Sequence, residues 1–472
     1  MRHQPHPDPG SATRDRQREL IPTRRSGSAE CIDLVVLLDV RNGESLAYNF
    51  DFENLRLGAI ERALSTAGFP SRHTTFTDAP AVVGAARRPL VVLDAYFRAA
   101  DEVVTALRAV RKANPYAEIA CFGRAAATLA RLQGELELVD HVYSGDEVAS
   151  VLAAIGAQHD SWDRVTPVRR GILHVPEKRV FDVEATRGCA HSCTFCAVDA
   201  DHRASRPQVW RARPPEDVVA EIVDTRRSTG MNRVQFVDDN LLGSPRDAEG
   251  WASALSKGLV EQASGTAFSF YGRLDGLLLR CLGRMVEAGL VQAHAGVESG
   301  SDTVLRRLRK GLTTAQMEKA LSALDSHGVE LIASLIVFEA RTTPGELVES
   351  LDWLMDWGMA RYFSLSTAIP FPGTRLRSEY ESAGIPIDVD RGRLGFPTAV
   401  RFPDPRVQEI FDIAKERELT ADFDVEWHMR KRFAYEEMLG SIDDPRPKWL
   451  ADLTEFRLRQ MVEIRDHAAT FE

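Results

Sequence analysis

Short runs of branched apolar residues alternate with amphipathic stretches along most of this chain, and that alternation leaves few folds open. CIDLVVLLDV (31–40) is apolar almost without a break, as in a strand covered on both faces. LRLGAIERALSTAGF (55–69) carries its apolar residues at helical spacing and stops at Gly68. RPLVVLDAY (88–96), the helix ADEVVTALRAVRKANP (100–115), the strand AEIACFG (117–123), a helix at AAATLARLQ, a short strand at VDHVYSG and the helix DEVASVLAAIGA (146–157) continue the pattern. Strand, helix and strand in succession close as a parallel sheet with right-handed crossovers. Residues 31–160 are therefore predicted to form a doubly wound, Rossmann-like α/β domain.

Residues 1–30, rich in Pro, Arg and Ser, read as a disordered tail; without an apolar core they are no secretory signal. A linker with two prolines is expected over 161–178. Alternation then resumes, with strands at 179–186, 233–239, 267–273, 290–297, 330–338 and 362–369. Six βα units suit a partial (β/α)6 barrel over 179–394, and 395–472 reads as a helical C-terminal region. The net charge of −10 and the lack of a Lys/Arg block in the folded part argue against a nucleic-acid surface. No apolar run reaches membrane-spanning length. Six cysteines in 472 residues make no disulfide framework, so a reducing, cytoplasmic setting is expected.

Three of those six lie together: Cys189, Cys193 and Cys196, in RGCAHSCTFCAV (187–198), at the end of a predicted strand. Barrel enzymes place chemistry on such loops. Clustered thiolates bind zinc or an iron–sulfur cluster. Zinc would want a fourth ligand, for which His191 or His202 is available; Cys31, Cys121 and Cys281 lie far away in sequence. A four-iron cluster held by three thiolates leaves one iron open to another ligand.

CxxxCxΦC after the first barrel strand, here with Phe195 before Cys196, resembles the signature of the radical S-adenosylmethionine (SAM) superfamily. The resemblance covers about 179–380. It implies a [4Fe–4S] cluster on Cys189, Cys193 and Cys196, chelation of the open iron by SAM, and a 5′-deoxyadenosyl radical. VDDN (237–240) falls where the family holds the SAM ammonium, giving Asp238, Asp239 and Asn240 as cofactor contacts. GRLDGL (272–277) contributes Arg273. GVESGSDTVLRRLRKGLT (296–313) resembles the family's GVESG stretch: Glu298 and Ser299 would meet SAM, and Arg309 or Lys310 its carboxylate. Ser334 and Phe195 complete the expected cofactor set. For Asp238, Asp239 and Glu298 the competing reading is helix capping or solvated loop charge.

Residues 32–157 resemble the cobalamin-binding domain that precedes many radical SAM barrels. FENLRLGAIERALSTAGF resembles its first helix, and GRAAATLARLQGELELVDHVYSGDE (123–147) a characteristic later stretch. The departures are Asp39-Val40-Arg41-Asn42-Gly43-Glu44, which lacks the histidine of the DxHxxG form; Arg124 in place of a second glycine; and bulky Tyr96 and Phe97 after the third strand. The missing histidine alone decides little, since many radical SAM relatives bind cobalamin without one; with Arg124, Tyr96 and Phe97 the fold is kept, the pocket is filled, and no cobalamin is expected.

Strand parity places Asp182, Glu184 and Thr186; Ser269, Tyr271 and Arg273; Gln292, His294 and Glu298; Ser334; and Ser364 and Ser366 on the barrel interior. A barrel packed only for stability carries branched apolar residues there. The polar lining implies a small polar substrate, and its carboxylates a cationic one, with His294, Tyr271 and Glu184 as acid–base candidates. For His294 alone, a satisfied core histidine is the competing reading. These expectations resemble the radical diol dehydratase class of apramycin-type aminoglycoside pathways: a cobalamin-independent lyase that removes a hydroxyl from an aminosugar, fed by flavodoxin, ferredoxin or a partner reductase. The alternatives are a cobalamin-dependent radical SAM methyltransferase of natural-product biosynthesis, and a degenerate protein that only binds SAM and iron–sulfur.

Overall fold

The structure is a computed structural model describing residues 32–39, 54–94, 100–123, 138–143, 145–158, 161–169, 180–198, 210–243, 245–390, 396–421, 424–437 and 447–472. Two parallel sheets organise it. The first holds β1 (Leu34–Asp39), β2 (Ser71–Thr75), β3 (Pro89–Asp94), β4 (Glu118–Phe122) and β5 (His141–Val142) in the order β2-β1-β3-β4-β5. All its pairs are parallel. Its faces divide the apolar residues between two clusters: Val36, Leu38, Val91 and Leu93 pack on one side, and Val35, Leu37, Leu90 and Val92 on the other. This is the double coverage that the unbroken apolar runs require. Strand order reverses between β1 and β3, and in open α/β sheets the crevice at that point, beyond the carboxyl ends of the strands, receives ligands.

The second sheet holds β6 (Val180–Val183), β9 (Arg233–Phe236), β10 (Ala267–Arg273), β11 (Leu290–Glu298) and β12 (Glu330–Leu335), in the order β12-β11-β10-β9-β6. Between β6 and β9, the strands β7 (Thr186–Gly188) and β8 (Trp210–Ala212) pair antiparallel beside the cysteine loop. The sixth predicted strand is reduced to one bridge, Phe338 to Thr367, so the partial barrel has five ladder-paired strands and a sixth segment laid alongside. Phe181, Val183, Val234, Phe236, Phe268, Phe270, Ala293 and Ala295 pack outward in the largest core cluster. The opposite parity is polar, and one complete register layer is Asp182, Gln235, Ser269, Gln292 and Glu330.

Helix ends follow local sequence. Thr313 with Gln316 and Thr343 with Glu346 close capping boxes on Thr314–His327 and Pro344–Asp356. Gly230 and Gly328 end their helices with φ of 75° and 66°. The hairpin β13 (Ile387–Asp390) and β14 (Phe396–Val400) leads to the helices Pro405–Leu419, Val425–Glu437 and Lys448–Ala469. Met461, Ile464 and Ala468 of the last helix join the barrel's core cluster. Among the described residues no helix is long and apolar enough to cross a membrane.

Candidate active site

The cysteine loop leaves β7 and is tied down by its backbone. Ala190 N–H donates to Gly243 O (2.8 Å), Thr194 N–H to Leu308 O (2.9 Å), and Leu376 N–H to Thr194 O (2.9 Å). Three distant segments therefore set its shape before any side chain is considered. Asn240 Nδ2 donates to Cys189 Sγ (3.2 Å), and Arg273 Nη1 to Cys193 Sγ (3.4 Å). Burial pushes both thiols up, while Asn240 at Cys189, and Lys310 and Arg273 at Cys193, act in the opposite direction. Donors and cations around thiolates are the environment a cluster needs. Among the described residues no group of three or more His, Cys, Asp or Glu side chains is arranged to hold a single metal ion. His191, a candidate zinc ligand, instead puts Nε2 3.3 Å from Asp275 Oδ2; His202 lies outside the described residues.

Of the expected SAM contacts, Asn240 and Arg273 reach the cysteines of this loop from the carboxyl ends of β9 and β10, and Glu298 acts on Cys193 from the end of β11. Glu298 is buried, with φ at 67°, at a register shift between Gly296 and Glu298. Its Oε1 accepts from Lys310 Nζ at 2.8 Å, and both side chains are under a tenth exposed. A Cβ on residue 296 would stand 2.6 Å from Lys310 Nζ and closer still to Glu298, so glycine there lets the pair cross the strand. Asp238 uses Oδ1 to accept from the amides of Ala185 (3.0 Å) and Thr186. Its Oδ2 is buried without a partner, and burial pushes the carboxyl up to about 8. Asp238 is thus a neutral acid clamping the strand that delivers the cysteines, beside its expected cofactor role. Phe195 packs partly buried against the cluster of Val304, Leu308 and Tyr380.

Other expected residues fall elsewhere. Arg309, also at positive φ (51°), is exposed, and the buried cation of that turn is Lys310. The Ser299 hydroxyl is engaged with Ser350 Oγ (3.0 Å) and the Ser301 amide (3.1 Å), holding the turn together. Ser334 is exposed on β12 opposite Gly296. Glu184 does not join the acid–base candidates. It ion-pairs with Arg187 (2.7 Å) and Arg56 (3.5 Å); burial would raise its carboxyl, but the two arginines outweigh it and hold the group below its usual range.

Tyr271 and His294 do meet, with ring centroids 4.5 Å apart. Gln235 Nε2 donates to Tyr271 Oη (3.1 Å), and Gln292 joins His294 Nε2 (3.0 Å) to Glu330 (3.2 Å). Glu330 accepts only, so Gln292 presents its NH2 to Glu330 and its oxygen to His294, whose Nε2 then carries the proton. Burial lowers the imidazole to about 3, so His294 is neutral and is no proton donor near neutral pH. Of the lining carboxylates expected to attract a cation, Glu184 is spent on Arg187 and Arg56 and Glu298 on Lys310; Glu330 is paired with Arg361 (3.0 Å) and Glu339 with Arg307 and Arg341 as well. The acidic-barrel argument for an aminosugar falls with them.

Sequence reasoning missed the junction between the two sheets. Arg187, two residues before Cys189, pairs with Glu147 at 2.8 Å and stacks on Trp162, 4.1 Å from its ring centroid. Arg56 sits in the field of Glu184 and Asp239 from the barrel and of Glu147 and Asp94 from the first sheet, and these carboxylates raise its pKa against burial. Asp94 ends β3 at the switch point, while Glu184 and Asp239 follow β6 and β9. The carboxyl ends of both sheets therefore face each other across Arg56. The one sequence signal was the position of Arg187 directly beside the cysteine loop.

Residues 183–354 match the Radical SAM superfamily. The fold extends further: a cobalamin-dependent S-adenosylmethionine radical enzyme, OxsB, solved with aqua-cobalamin and SAM, superposes at TM-score 0.67 with 13% identity, covering 93% of this chain and 79% of that one. The radical SAM methyltransferase TsrM from Kitasatospora setae, solved with cobalamin and a [4Fe–4S] cluster, gives TM-score 0.66 and 13% identity, covering 92% of this chain and 99% of that one. In sequence the chain is 24% identical to an uncharacterized methyltransferase of Pyrococcus horikoshii, over 52% of this chain and 56% of that one. The alignment thus spans little more than half of that curated relative.

Two expectations are overturned here. OxsB and TsrM, which share this architecture, were solved with cobalamin, against the expected absence of that cofactor, and TsrM and the Pyrococcus horikoshii protein carry methyltransferase names where a dehydratase was expected. Tyr96, Phe97 and Arg124, on which the filled pocket rested, lie outside the described residues. What is described fits a ligand at that edge: the strand-order reversal, and Gly123 after β4 with φ at 88°, where a side chain is disfavoured. The matching segment, with the cysteine loop inside it, makes 183–354 a radical SAM superfamily domain.

Proposed function

We propose that the chain is a cobalamin-dependent radical SAM methyltransferase acting on a small molecule. One observation carries this reading: the carboxyl edge of the first sheet faces the carboxyl edge of the barrel across Arg56, Glu147, Glu184 and Arg187. A ligand in the switch-point crevice of the first sheet then lies against the cysteine loop. A cobalamin-like fold kept only for stability has no need to present its ligand edge to the cluster.

Bound in these places, the cluster and SAM supply a carbon-centred radical and cobalamin a transferable methyl group. The chain's own work is positional. Cys189, Cys193 and Cys196 hold the cluster, with an external one-electron donor. Glu298 and Lys310 present one carboxylate and one ammonium toward SAM, and Asp239 a further carboxylate. Tyr271 and His294 line the interior below them. With His294 neutral and the nearby carboxylates paired, this interior suits an uncharged polar group better than a cation.

The test is the anaerobically purified full chain, reconstituted with iron and sulfide and offered hydroxocobalamin. Stoichiometric cobalt beside the iron, and release of 5′-deoxyadenosine with dithionite and SAM, support the reading. Iron without cobalt under those conditions would refute it.

A further inference from the structure

The hydrogen bond from Arg273 to a cysteine of the loop is held more firmly than a loop contact needs to be. Arg273 is buried at the end of β10. Its Nε donates to Asp275 Oδ1 (2.9 Å), its Nη2 to Lys310 O (2.6 Å), and its Nη1 to Cys193 Sγ (3.4 Å). Asp275 is in turn 3.3 Å from His191, inside the cysteine loop. The guanidinium is thus locked on two edges and aims its third at one sulfur. Asn240 is buried as well and aims Nδ2 at Cys189. With two of its three edges spent on protein partners, Arg273 has little left to offer as the direct SAM contact expected of it.

We propose that Arg273 and Asn240 tune the cluster, as N–H donors to the Cys193 and Cys189 sulfurs that raise its reduction potential. Reduction adds one electron to the cluster and makes its sulfurs better acceptors. A fixed donor therefore stabilises the reduced form more than the oxidised form. Asp275 offsets the charge of Arg273, so the effect is directed along the N–H···S bond. Burial strengthens it, since little water competes. The inference rests only on the cluster within the proposed function; it needs neither cobalamin nor methyl transfer.

The experiment uses the full chain, reconstituted anaerobically and free of SAM, with titanium citrate as the electron donor and the paramagnetic resonance signal of the reduced cluster as the readout. Arg273→Met and Asn240→Leu are each expected to shift the midpoint to more negative potential with iron and sulfide content unchanged. Arg273→Lys, which keeps a donor, is expected to recover part of the shift. SAM affinity of the oxidised protein is expected to change by less than about threefold. A midpoint unmoved in both loaded variants overturns the proposal. So does an unmoved midpoint in Arg273→Met with a tenfold or greater loss of SAM affinity (about 1.4 kcal/mol), which makes Arg273 a SAM ligand. Should Arg273→Met fail to fold, Asn240→Leu and Arg273→Lys decide alone. Folded variants that all fail to assemble a cluster overturn it too, leaving these residues as scaffolding. A chain that binds no cobalt but shows the shifts refutes the proposed function and leaves this inference standing.

Discussion

Replacing Arg187 by Met removes the charge that joins the cysteine strand to the first sheet. Its guanidinium lies 2.8 Å from Glu147 and 2.7 Å from Glu184, over the face of Trp162, and is 7% exposed. Glu147 is only 3% exposed, so the substitution strands a buried carboxylate. Breaking a buried pair in this way costs roughly 3–5 kcal/mol, and the ring contact adds about 1 kcal/mol or more. Arg56 remains beside Glu184 and partly compensates it, which places the net loss near the low end, at ~3 kcal/mol. With a urea m-value of roughly 2–3 kcal/mol/M, the unfolding midpoint falls by about 1 M. Arg227→Ala is the control. Its pair with Asp224 is about three-quarters exposed on both sides, and the expected loss is ~0.5 kcal/mol or less. Adding Glu147→Gln to Arg187→Met recovers part of the loss, because no charge is then left buried. Urea titration followed by circular dichroism and tryptophan emission measures all four proteins. If Arg187→Met unfolds within about 0.5 kcal/mol of the parent, the junction is not the buried electrostatic contact described here.

Gly296→Ala should keep the barrel folded, since only the ends of Glu298 and Lys310 need give way; SAM affinity, read by equilibrium dialysis, should fall about tenfold or more. Asp238 has a native carboxyl pushed up to about 8 against about 3.9 in the unfolded chain. Its protonated form therefore favours folding most fully at low pH, and that contribution is lost as pH rises toward 8. Asp238→Asn should remove this part of the decline, measurable as a flatter stability profile of the cluster-free protein between about pH 4 and pH 8. His294 should show no protonation between about pH 5 and pH 8 in nitrogen-15 spectra of histidine-labelled protein, and the proton should sit on Nε2.

Some of these residues could be found in the linear chain and some could not. Cys189, Cys193 and Cys196 could be singled out in the sequence because one short loop carries all three, so their proximity needs no tertiary contact. Asp238, Asn240 and Glu298 could be placed at one edge of the barrel because they lie at or just after the carboxyl ends of parallel strands. Lys310 and Arg309 were not separable from sequence. They are neighbours in one turn, and the positive φ of Arg309 turns one outward and the other in. The ion pairs of Glu184 could not be read from parity, which says only which face a side chain leaves from, because Arg56 comes from the helix Leu55–Thr66 of the first domain and Arg187 from β7.

The strand–helix periodicity by itself determined that this chain builds parallel sheets with helices around them, and the cysteine spacing singled out the loop of the second sheet on which a thiolate-held cofactor is proposed. Both are properties of short segments, set by backbone geometry and ligand chemistry. Only the tertiary structure decided which charges are spent and which sheet edges confront each other. Burial and pairing depend on residues far apart in the chain, such as Arg187 with Glu147, Arg273 with Lys310, and Glu330 with Arg361. The energy of a buried charge is set by whichever partner arrives, and the order of residues along one strand does not contain that information.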